Sequence, residues 1–222
     1  YASQQGRKSF AALVPDTAYG KVVEAAFQQA VAGRGGRVVV IERFSPDSNS
    51  MAAAAKRLVP ALQQADALFV PAAADTMPAL GLALQQAGYD PAKVKPLGTG
   101  VWNDANVARV PAIQGGWFAS PDTAGFNAFA GRYQTRFNSA PTRTATLAYD
   151  AVSLAAALAR TQGSQRFSES VLTNASGFAG ADGVFRFRPD GQNDRGLAVL
   201  ELRNGQIVTV NAAPRDLGPR TQ

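Results

Sequence analysis

The segment Phe10-Ala-Ala-Leu-Val-Pro-Asp-Thr-Ala-Tyr-Gly20 decides the fold of this chain. Its apolar first half has the length of a buried strand, the polar turn Pro15-Asp16-Thr17 follows, and a helical pattern begins beyond Gly20. This order is the first half of a βαβ unit. Ligands of parallel sheets bind where strands end and helices begin, so residues 16–20 are our first candidate binding segment. The alternative interpretation is that the turn only caps the helix.

The same pattern of apolar run, polar turn and amphipathic helix returns along the first half of the chain. It predicts strands near 10–14, 37–42, 67–70 and 95–98, with helices between them. Strands that alternate with helices in this way form a parallel sheet with right-handed crossovers. We therefore predict the α/β class, with a three-layer, Rossmann-like parallel sheet that has helices on both faces.

The pattern changes after about residue 119. Two helices, near 122–137 and 143–160, carry broad apolar faces and have no strand between them, and a shorter helix follows at 168–174. The chain then returns to strands. Near its end, Asn204-Gly205 lies between two apolar runs, which predicts a two-residue turn in a C-terminal antiparallel hairpin.

Composition limits the chemistry that the chain can perform. Its 222 residues include no Cys and no His, which excludes Ser-His-Asp and Cys-His catalysis and nearly all zinc sites. We therefore predict no catalytic residue, no metal site and no cofactor. The net charge of +6 is spread over scattered basic residues, so nucleic acid is not a predicted partner. The remaining enzyme hypothesis depends on Asp16, Asp75 and Asp104, for which helix capping is the simpler role.

The predicted site residues follow from the positions of the strand ends. Polar or aromatic side chains at or just beyond these ends should gather at one edge of the sheet. They are Asp16, Thr17 and Tyr19 after the first strand, Asp75 and Thr76 after the third, and Thr99 and Trp102 after the fourth. For Trp102, stacking on a ligand and covering the core remain open alternatives.

The order of these pieces resembles the type I periplasmic solute-binding proteins, a family that includes the leucine/isoleucine/valine receptors of ABC importers. The resemblance runs from about residue 10 to 210 and depends on several short motifs in the right order. The motifs are Val14-Pro-Asp-Thr-Ala-Tyr-Gly20, Asp66-Ala-Leu-Phe69, Gly98-Thr-Gly100, Leu147-Ala-Tyr-Asp-Ala-Val152 and Gly180-Ala-Asp-Gly-Val-Phe-Arg-Phe187.

The resemblance implies a division of the chain between two lobes that enclose a ligand. Residues 1–118 would be a second-lobe α/β domain, 119–178 a helical segment of the first lobe, and 179–222 strands that return to the second lobe, with a tail. The sheet of the first lobe has no counterpart here, so we expect this chain to be the C-terminal portion of a longer protein. The missing N-terminal lobe, or another copy of the chain, is expected to cover the helices at 122–160.

Some of the family's ligand-contacting residues have a counterpart in this sequence, and others do not. Tyr19 matches the tyrosine that faces the ligand in the family, whereas Ala74 lies where the amino-acid receptors place an aromatic residue. Gly100 occupies the position of the acid that holds the α-ammonium of an amino acid, and Asp104 or Asp75 are the substitutes that the chain offers. The resemblance therefore implies an amino-acid-like or other small polar ligand, bound between the two lobes.

Two functions follow from the resemblance. The first is a non-enzymatic periplasmic receptor of an ABC-type importer, with membrane transporter subunits as partners and a lipid anchor in the full-length protein. The alternative is a lipoprotein activator of penicillin-binding proteins, which has the same fold and a turn that resembles Gly98-Thr-Gly-Val-Trp102. In that case the partner would be a penicillin-binding protein.

Overall fold

The structure is a computed structural model that describes residues 1–218. The strands are β1 (Ser9–Pro15), β2 (Arg37–Phe44), β3 (Ala67–Phe69), β4 (Lys95–Gly98), β5 (Trp117–Ser120), β6 (Phe178–Gly180), β7 (Gly183–Phe187), β8 (Asn193–Arg195), β9 (Ala198–Arg203) and β10 (Gln206–Asn211). The helices are α1 (Ala18–Gly33), α2 (Ser48–Ala61), α3 (Met77–Gln86), α4 (Ala105–Ala108), α5 (Thr123–Phe137), α6 (Ala145–Thr161) and α7 (Glu169–Leu172). Each helix in residues 1–218 is too short or too polar to span a bilayer.

The large sheet confirms the predicted α/β class. Its seven strands lie in the order β10-β9-β5-β4-β3-β1-β2. β1 pairs in parallel with both β2 and β3, and the parallel pairing continues through β4 to β5. The strands predicted near 10–14, 37–42, 67–70 and 95–98 are therefore the parallel centre of one sheet.

Helices cover both faces of this sheet. Alternate residues of β1, namely Phe10, Ala12 and Val14, pack in one cluster with Phe27 and Val31 of α1. The chain moves from β1 to β2 in one direction and from β2 to β3 in the other, so right-handed crossovers place α2 on the opposite face from α1. α3 packs against α2 on that second face.

The predicted hairpin joins β9 to β10. Asn204 and Gly205 both have positive φ angles, 53° and 76°. A two-residue turn with this geometry matches the twist of antiparallel strands, and Asn-Gly adopts it at low cost.

The chain divides into two compact units. The first unit contains residues 1–120 and 199–210, and the second contains 121–198 and the residues from 211 onward. Only β9 and β10 join the large sheet, whereas β6, β7 and β8 form a separate three-stranded sheet. Residues 219–222 of the expected tail lie outside the described residues. The assignment of the units to lobes remains a prediction.

Side-chain contacts explain why β6 and β7 belong to the second unit. The buried carboxylate of Asp150, on α6, accepts a 2.7 Å hydrogen bond from the backbone N–H of Ala181 in the β6–β7 turn. Thr146, one helical turn earlier, donates a 2.7 Å hydrogen bond to Asp182. Side chains of α6 therefore fix the β6–β7 turn by hydrogen bonds. No pattern in the sequence predicts this contact.

The apolar helices of the second unit are only partly covered. Phe129 and Leu158 are buried, as their place on the predicted apolar faces suggests. Phe137, Leu147 and Val152 remain exposed in this unit, at 60%, 47% and 70% of their surfaces. The predicted faces therefore exist, and part of their surface is free to make further contacts.

Candidate ligand-binding site

The strand order reverses direction on the two sides of β1, and this reversal defines the candidate site. From β1 the chain first adds β2 on one side and then adds β3, β4 and β5 on the other. The helices that follow β1 and β3 therefore leave toward opposite faces, which opens a crevice at the carboxyl ends of these two strands. In doubly wound sheets, ligands bind at this switch point.

The turn after β1 brings the start of α1 close to the strand end. The Thr17 side chain accepts a 3.1 Å hydrogen bond from the backbone N–H of Gly20, so Thr17 is the helix cap, as one of our alternatives proposed. A Cβ atom at Gly20 would lie only 1.7 Å from the carbonyl oxygen of Pro15. Glycine is therefore required at position 20, because α1 begins in contact with the β1 backbone.

Tyr19 extends from this turn across the sheet edge. Its hydroxyl lies 2.8 Å from the hydroxyl of Thr99, which follows β4. β3 lies between β1 and β4 in the sheet, so this hydrogen bond connects turns that are two strands apart. The Tyr19 ring remains 41% exposed, so it presents an aromatic surface as well as a polar tip.

The turn after β3 carries the next group of predicted residues. Asp75 is exposed, and its carboxylate lies 3.3 Å from the Thr76 hydroxyl. Thr76 immediately precedes α3 and makes no side-chain capping bond. Ala74 is half-buried beside them. This side of the switch point therefore offers an exposed carboxylate and a hydroxyl, with a small side chain between the strand and these polar groups.

Trp102 is a core residue, which corrects its prediction as a direct ligand contact. Its side chain is fully buried, and the indole Nε1–H donates a 2.9 Å hydrogen bond to the carbonyl oxygen of Val70. The side chain points inward because Gly98 leaves room for the ring beneath the turn. Trp102 therefore holds the ends of β3 and β4 together beneath the candidate site.

Asp104 serves as a helix cap, the simpler of the roles considered for it. Its carboxylate accepts hydrogen bonds of 2.7 Å from the N–H of Asn106 and 3.3 Å from that of Val107. These bonds satisfy N–H groups at the start of α4 that have no partner within the helix. The carboxylate is therefore directed at its own helix rather than at the Tyr19–Thr99 pair.

Near the carboxyl end of β2, a basic side chain is paired with an acidic one. Arg43, which pairs in register with Val14, forms an ion pair with Glu24 of α1, with Nε 2.9 Å from Oε2. The hydrogen bond that Arg43 donates to Glu24 raises the pKa of Arg43, and the nearby Asp16 carboxylate adds to this rise. Within residues 1–218, neither Asp16 nor Asp75 forms an ion pair.

Two further polar residues at this edge were not predicted. The Asn103 side-chain amide donates a 3.2 Å hydrogen bond to the hydroxyl of Ser120, the last residue of β5. The same strand-end rule would have found Ser120, because it ends a strand next to β4. Asn103 had no such signal, since its contact depends on the turn that buries Trp102.

The polar side chains at the carboxyl ends of β1, β3 and β4 indicate a class of protein. Thr17, Tyr19, Thr99, Asp16 and Asp75 follow the strand ends beside the switch point of a parallel sheet, and the Tyr19 and Thr99 hydroxyls are in contact. These groups can accept and donate hydrogen bonds to a polar solute, and the Tyr19 ring can pack on its apolar part. The first unit therefore has the sheet topology and the polar strand ends that are typical of α/β domains that bind small ligands.

The family follows from the sequence comparison. The family described as "Periplasmic binding protein" matches residues 1–206, so the chain belongs to the periplasmic binding protein family. No curated protein matches the chain.

Solved structures share the fold. A branched-chain amino acid ABC transporter protein from Rhodospirillum rubrum is 23% identical, with a TM-score of 0.74 over 94% of this chain and 62% of that one. LivJ from Streptococcus pneumoniae, in complex with isoleucine, is 21% identical, with a TM-score of 0.63 over 96% and 62% of the two chains. A solute-binding protein from Rhodopseudomonas palustris, in complex with 3,4-dihydroxybenzoic acid, is 21% identical, with a TM-score of 0.60 over 96% and 61%.

This chain thus spans less than two thirds of the length of these three structures, at 61–62%. By their descriptions, all three are transporter proteins, and two of them are solute- or substrate-binding proteins.

Proposed function

We propose that this protein is a solute receptor of an ABC-type importer and that the switch-point edge of its first unit forms one wall of the binding site. The hydrogen bond between Tyr19 and Thr99 carries this proposal. It gathers polar groups from two strand ends around an exposed aromatic ring, as recognition of a small polar ligand requires.

The chemistry of the edge supports a ligand that has both hydrogen-bonding groups and an apolar body. Asp75 has no ion-pair partner within residues 1–218 and can accept hydrogen bonds from hydroxyl or ammonium groups. The two related proteins with ligands hold isoleucine and 3,4-dihydroxybenzoic acid, which combine these features in different ways. We therefore propose Asp16, Thr17, Tyr19, Ala74, Asp75, Thr76 and Thr99 as lining residues.

The proposal has consequences for location and partners. A receptor of this kind binds without catalysis, resides in the periplasm and delivers its ligand to membrane transporter subunits. We further propose a lipid anchor in the full-length protein. We also propose that polypeptide outside this chain, either an N-terminal lobe or another copy of the chain, covers the helices at 122–160.

The test is a thermal-shift screen against amino acids, amides, aromatic acids and peptidoglycan fragments, followed by titration calorimetry. A ligand that binds only the folded state raises the melting temperature. Tyr19→Phe removes one hydroxyl and should weaken binding by about two- to tenfold, because a hydrogen bond contributes about 0.5–1.5 kcal/mol. The melting temperature of the free protein should hardly change.

Tyr149→Phe is the matched control, because Tyr149 is similarly exposed (43%, against 41% for Tyr19) and lies in the second unit. Tyr149→Phe should bind like the wild type. An equal loss of affinity in both variants would show that the Tyr19 edge is not the site.

The second candidate is the activator of penicillin-binding proteins. Tyr19 and Val22 are three residues apart on α1 and are 41% and 70% exposed, so they form an apolar surface beside the edge that suits protein docking. This function predicts that no small ligand changes the melting temperature and that a purified penicillin-binding protein binds the chain. Loss of that binding in Val22→Glu, with small-ligand binding absent throughout, would favour this alternative.

A further inference from the structure

The turn between β9 and β10 contains the only Asn-Gly pair of the sequence, Asn204-Gly205. Asn204 is exposed, and within residues 1–218 its side chain makes no hydrogen bond. Asparagine is thermolabile because the backbone nitrogen of the next residue can attack its side-chain amide. Glycine in that next position has no side chain to obstruct the attack. The pair that suits the hairpin turn is therefore also a reactive one.

The reaction needs only water as a co-reactant. The backbone nitrogen of Gly205 gives up its proton and bonds to Cγ of Asn204, which forms a succinimide ring. The Cγ–Nδ2 bond breaks, and Nδ2 takes up a proton and leaves as ammonia. Water then opens the ring at either of its carbonyl carbons. One opening gives aspartate, and the other gives isoaspartate, in which the main chain runs through the side-chain carbon.

In the folded protein, a side chain from another part of the first unit holds the nitrogen that must react. The N–H of Gly205 donates a 3.2 Å hydrogen bond to Oε1 of Gln114, which is half-buried. The Gln114 amide nitrogen donates to the carbonyl oxygens of Ala108, at 2.8 Å, and Val110, at 3.0 Å. These two bonds fix the side-chain amide so that its oxygen is directed at the turn.

The bond to Gln114 opposes the first step of the reaction. A hydrogen bond to the neutral form of a group disfavours its deprotonated form, so Oε1 keeps the proton on the Gly205 nitrogen. The same bond holds the turn in the geometry that joins β9 to β10, with φ angles of 53° at Asn204 and 76° at Gly205. Ring closure removes the hydrogen that makes this bond, so it cannot proceed while the bond is intact.

We propose that Asn204 is a site of spontaneous covalent modification, by deamidation to aspartate and isoaspartate, and that Gln114 controls its rate. Isoaspartate adds a carbon atom to the main chain of a two-residue turn. The modified turn should therefore loosen β10, which is an edge strand of the large sheet. The proposal is independent of the solute-receptor function, which uses none of these residues.

Peptide mapping by mass spectrometry tests the proposal on the full chain, incubated for weeks at neutral pH either native or in guanidinium chloride. Asn204 should convert faster in guanidinium chloride, because unfolding breaks the bond to Gln114. Asn138 is a control within the same molecule, since its φ of 50° is close to that of Asn204, whereas Ser139 follows it. Asn138 should convert more slowly than Asn204 in the unfolded chain.

Gln114→Met removes the acceptor and keeps a side chain of similar length. It should speed the conversion of Asn204 in the native chain by about two- to tenfold, the factor that corresponds to one neutral hydrogen bond. The rate in guanidinium chloride should not change. Gly98→Ala is the control for lost stability, because its added methyl group would meet Trp102 and not the turn. It should leave the native rate at Asn204 unchanged.

Three results would overturn the proposal. The first is an Asn204 that converts no faster than Asn138 in the unfolded chain. The second is the same rate at Asn204 in the native and the unfolded wild type, a comparison that decides even if Gln114→Met does not fold. The third is an unchanged native rate in Gln114→Met, or an equal rise in Gly98→Ala, which would assign the protection to the fold as a whole.

Discussion

The indole ring of Trp102 lies directly against the backbone of Gly98. A Cβ atom at Gly98 would come within 2.1 Å of Trp102 Cδ2 and 2.3 Å of Cε2. Gly98 ends β4, and the ring also donates its N–H to Val70, which follows β3. This contact determines where the two strands end and therefore where Thr99 lies at the candidate site.

Gly98→Ala should destabilise the protein. The added methyl group meets an aromatic ring that is itself fully buried, so relief requires movement of the core. Overpacking of this kind costs about 1–3 kcal/mol of unfolding free energy, measured by urea denaturation. Gly33→Ala is the control, because a Cβ there has nothing within 4 Å. Its stability should equal or exceed that of the wild type, and an equal loss in both variants would contradict the packing argument.

Trp102→Phe should cost about 1–3 kcal/mol, because it leaves the buried Val70 carbonyl oxygen without its donor. The measurement is chemical denaturation at neutral pH. Trp117→Phe is the matched control, since Trp117 also donates its indole N–H, to Glu201, but in a partly exposed setting. We expect Trp117→Phe to lose less unfolding free energy than Trp102→Phe. The reverse order would show that the Trp102 hydrogen bond does not stabilise the fold.

Asp66 should make stability depend on pH in the acid range. Its Oδ2 accepts hydrogen bonds from the N–H groups of Lys8 and Ser9, both 2.9 Å, and from the Ser9 hydroxyl. The backbone hydrogen bond from Lys8, followed by those from Ser9, lowers the pKa of Asp66. Because the pKa is lower in the folded state, this stabilisation is complete above the unfolded-state pKa of about 3.9 and is lost as the pH falls through the folded-state value.

Asp66→Asn should therefore reduce the loss of stability on acidification below about pH 4, measured by urea denaturation across a pH series. At neutral pH the variant should be less stable than the wild type. The control is Asp75→Asn, since Asp75 accepts no backbone N–H hydrogen bond in the described part of the chain. An unchanged acid profile in Asp66→Asn would rule out this role of Asp66.

Asp150→Ala should loosen the β6–β7 turn. The substitution leaves the N–H of Ala181 without its 2.7 Å partner and opens space beside Gly180, where a Cβ would lie 2.4 Å from Asp150 Oδ2. A fully buried donor without a partner costs about 1–3 kcal/mol, and the partly buried N–H of Ala181 should cost about 1 kcal/mol, at the low end of that range. Hydrogen exchange of Ala181 and urea denaturation report the effect. Asp190→Ala, which removes an exposed carboxylate, should cost less than Asp150→Ala.

The sequence by itself determined the class of fold, the parallel strands and the edge at which polar residues gather. These features depend on local patterns: the apolar run 10–14 must be buried, and Pro15-Asp16-Thr17 must end it. The strand-end rule also placed Tyr19 and Thr99 at one edge, although they are 80 residues apart, because parallel strands end on the same side.

Only the tertiary structure decided the directions of the side chains and the division into units. Trp102 turns inward because Gly98 and Val70, on neighbouring strand ends, provide space and an acceptor for it. The strands from β6 onward divide between two sheets. Asp150 accepts a hydrogen bond from Ala181 in the β6–β7 turn, 31 residues further along the chain, and this bond fastens the turn to α6. Contacts between residues that are distant in sequence leave no periodic signal, so no local pattern could predict them.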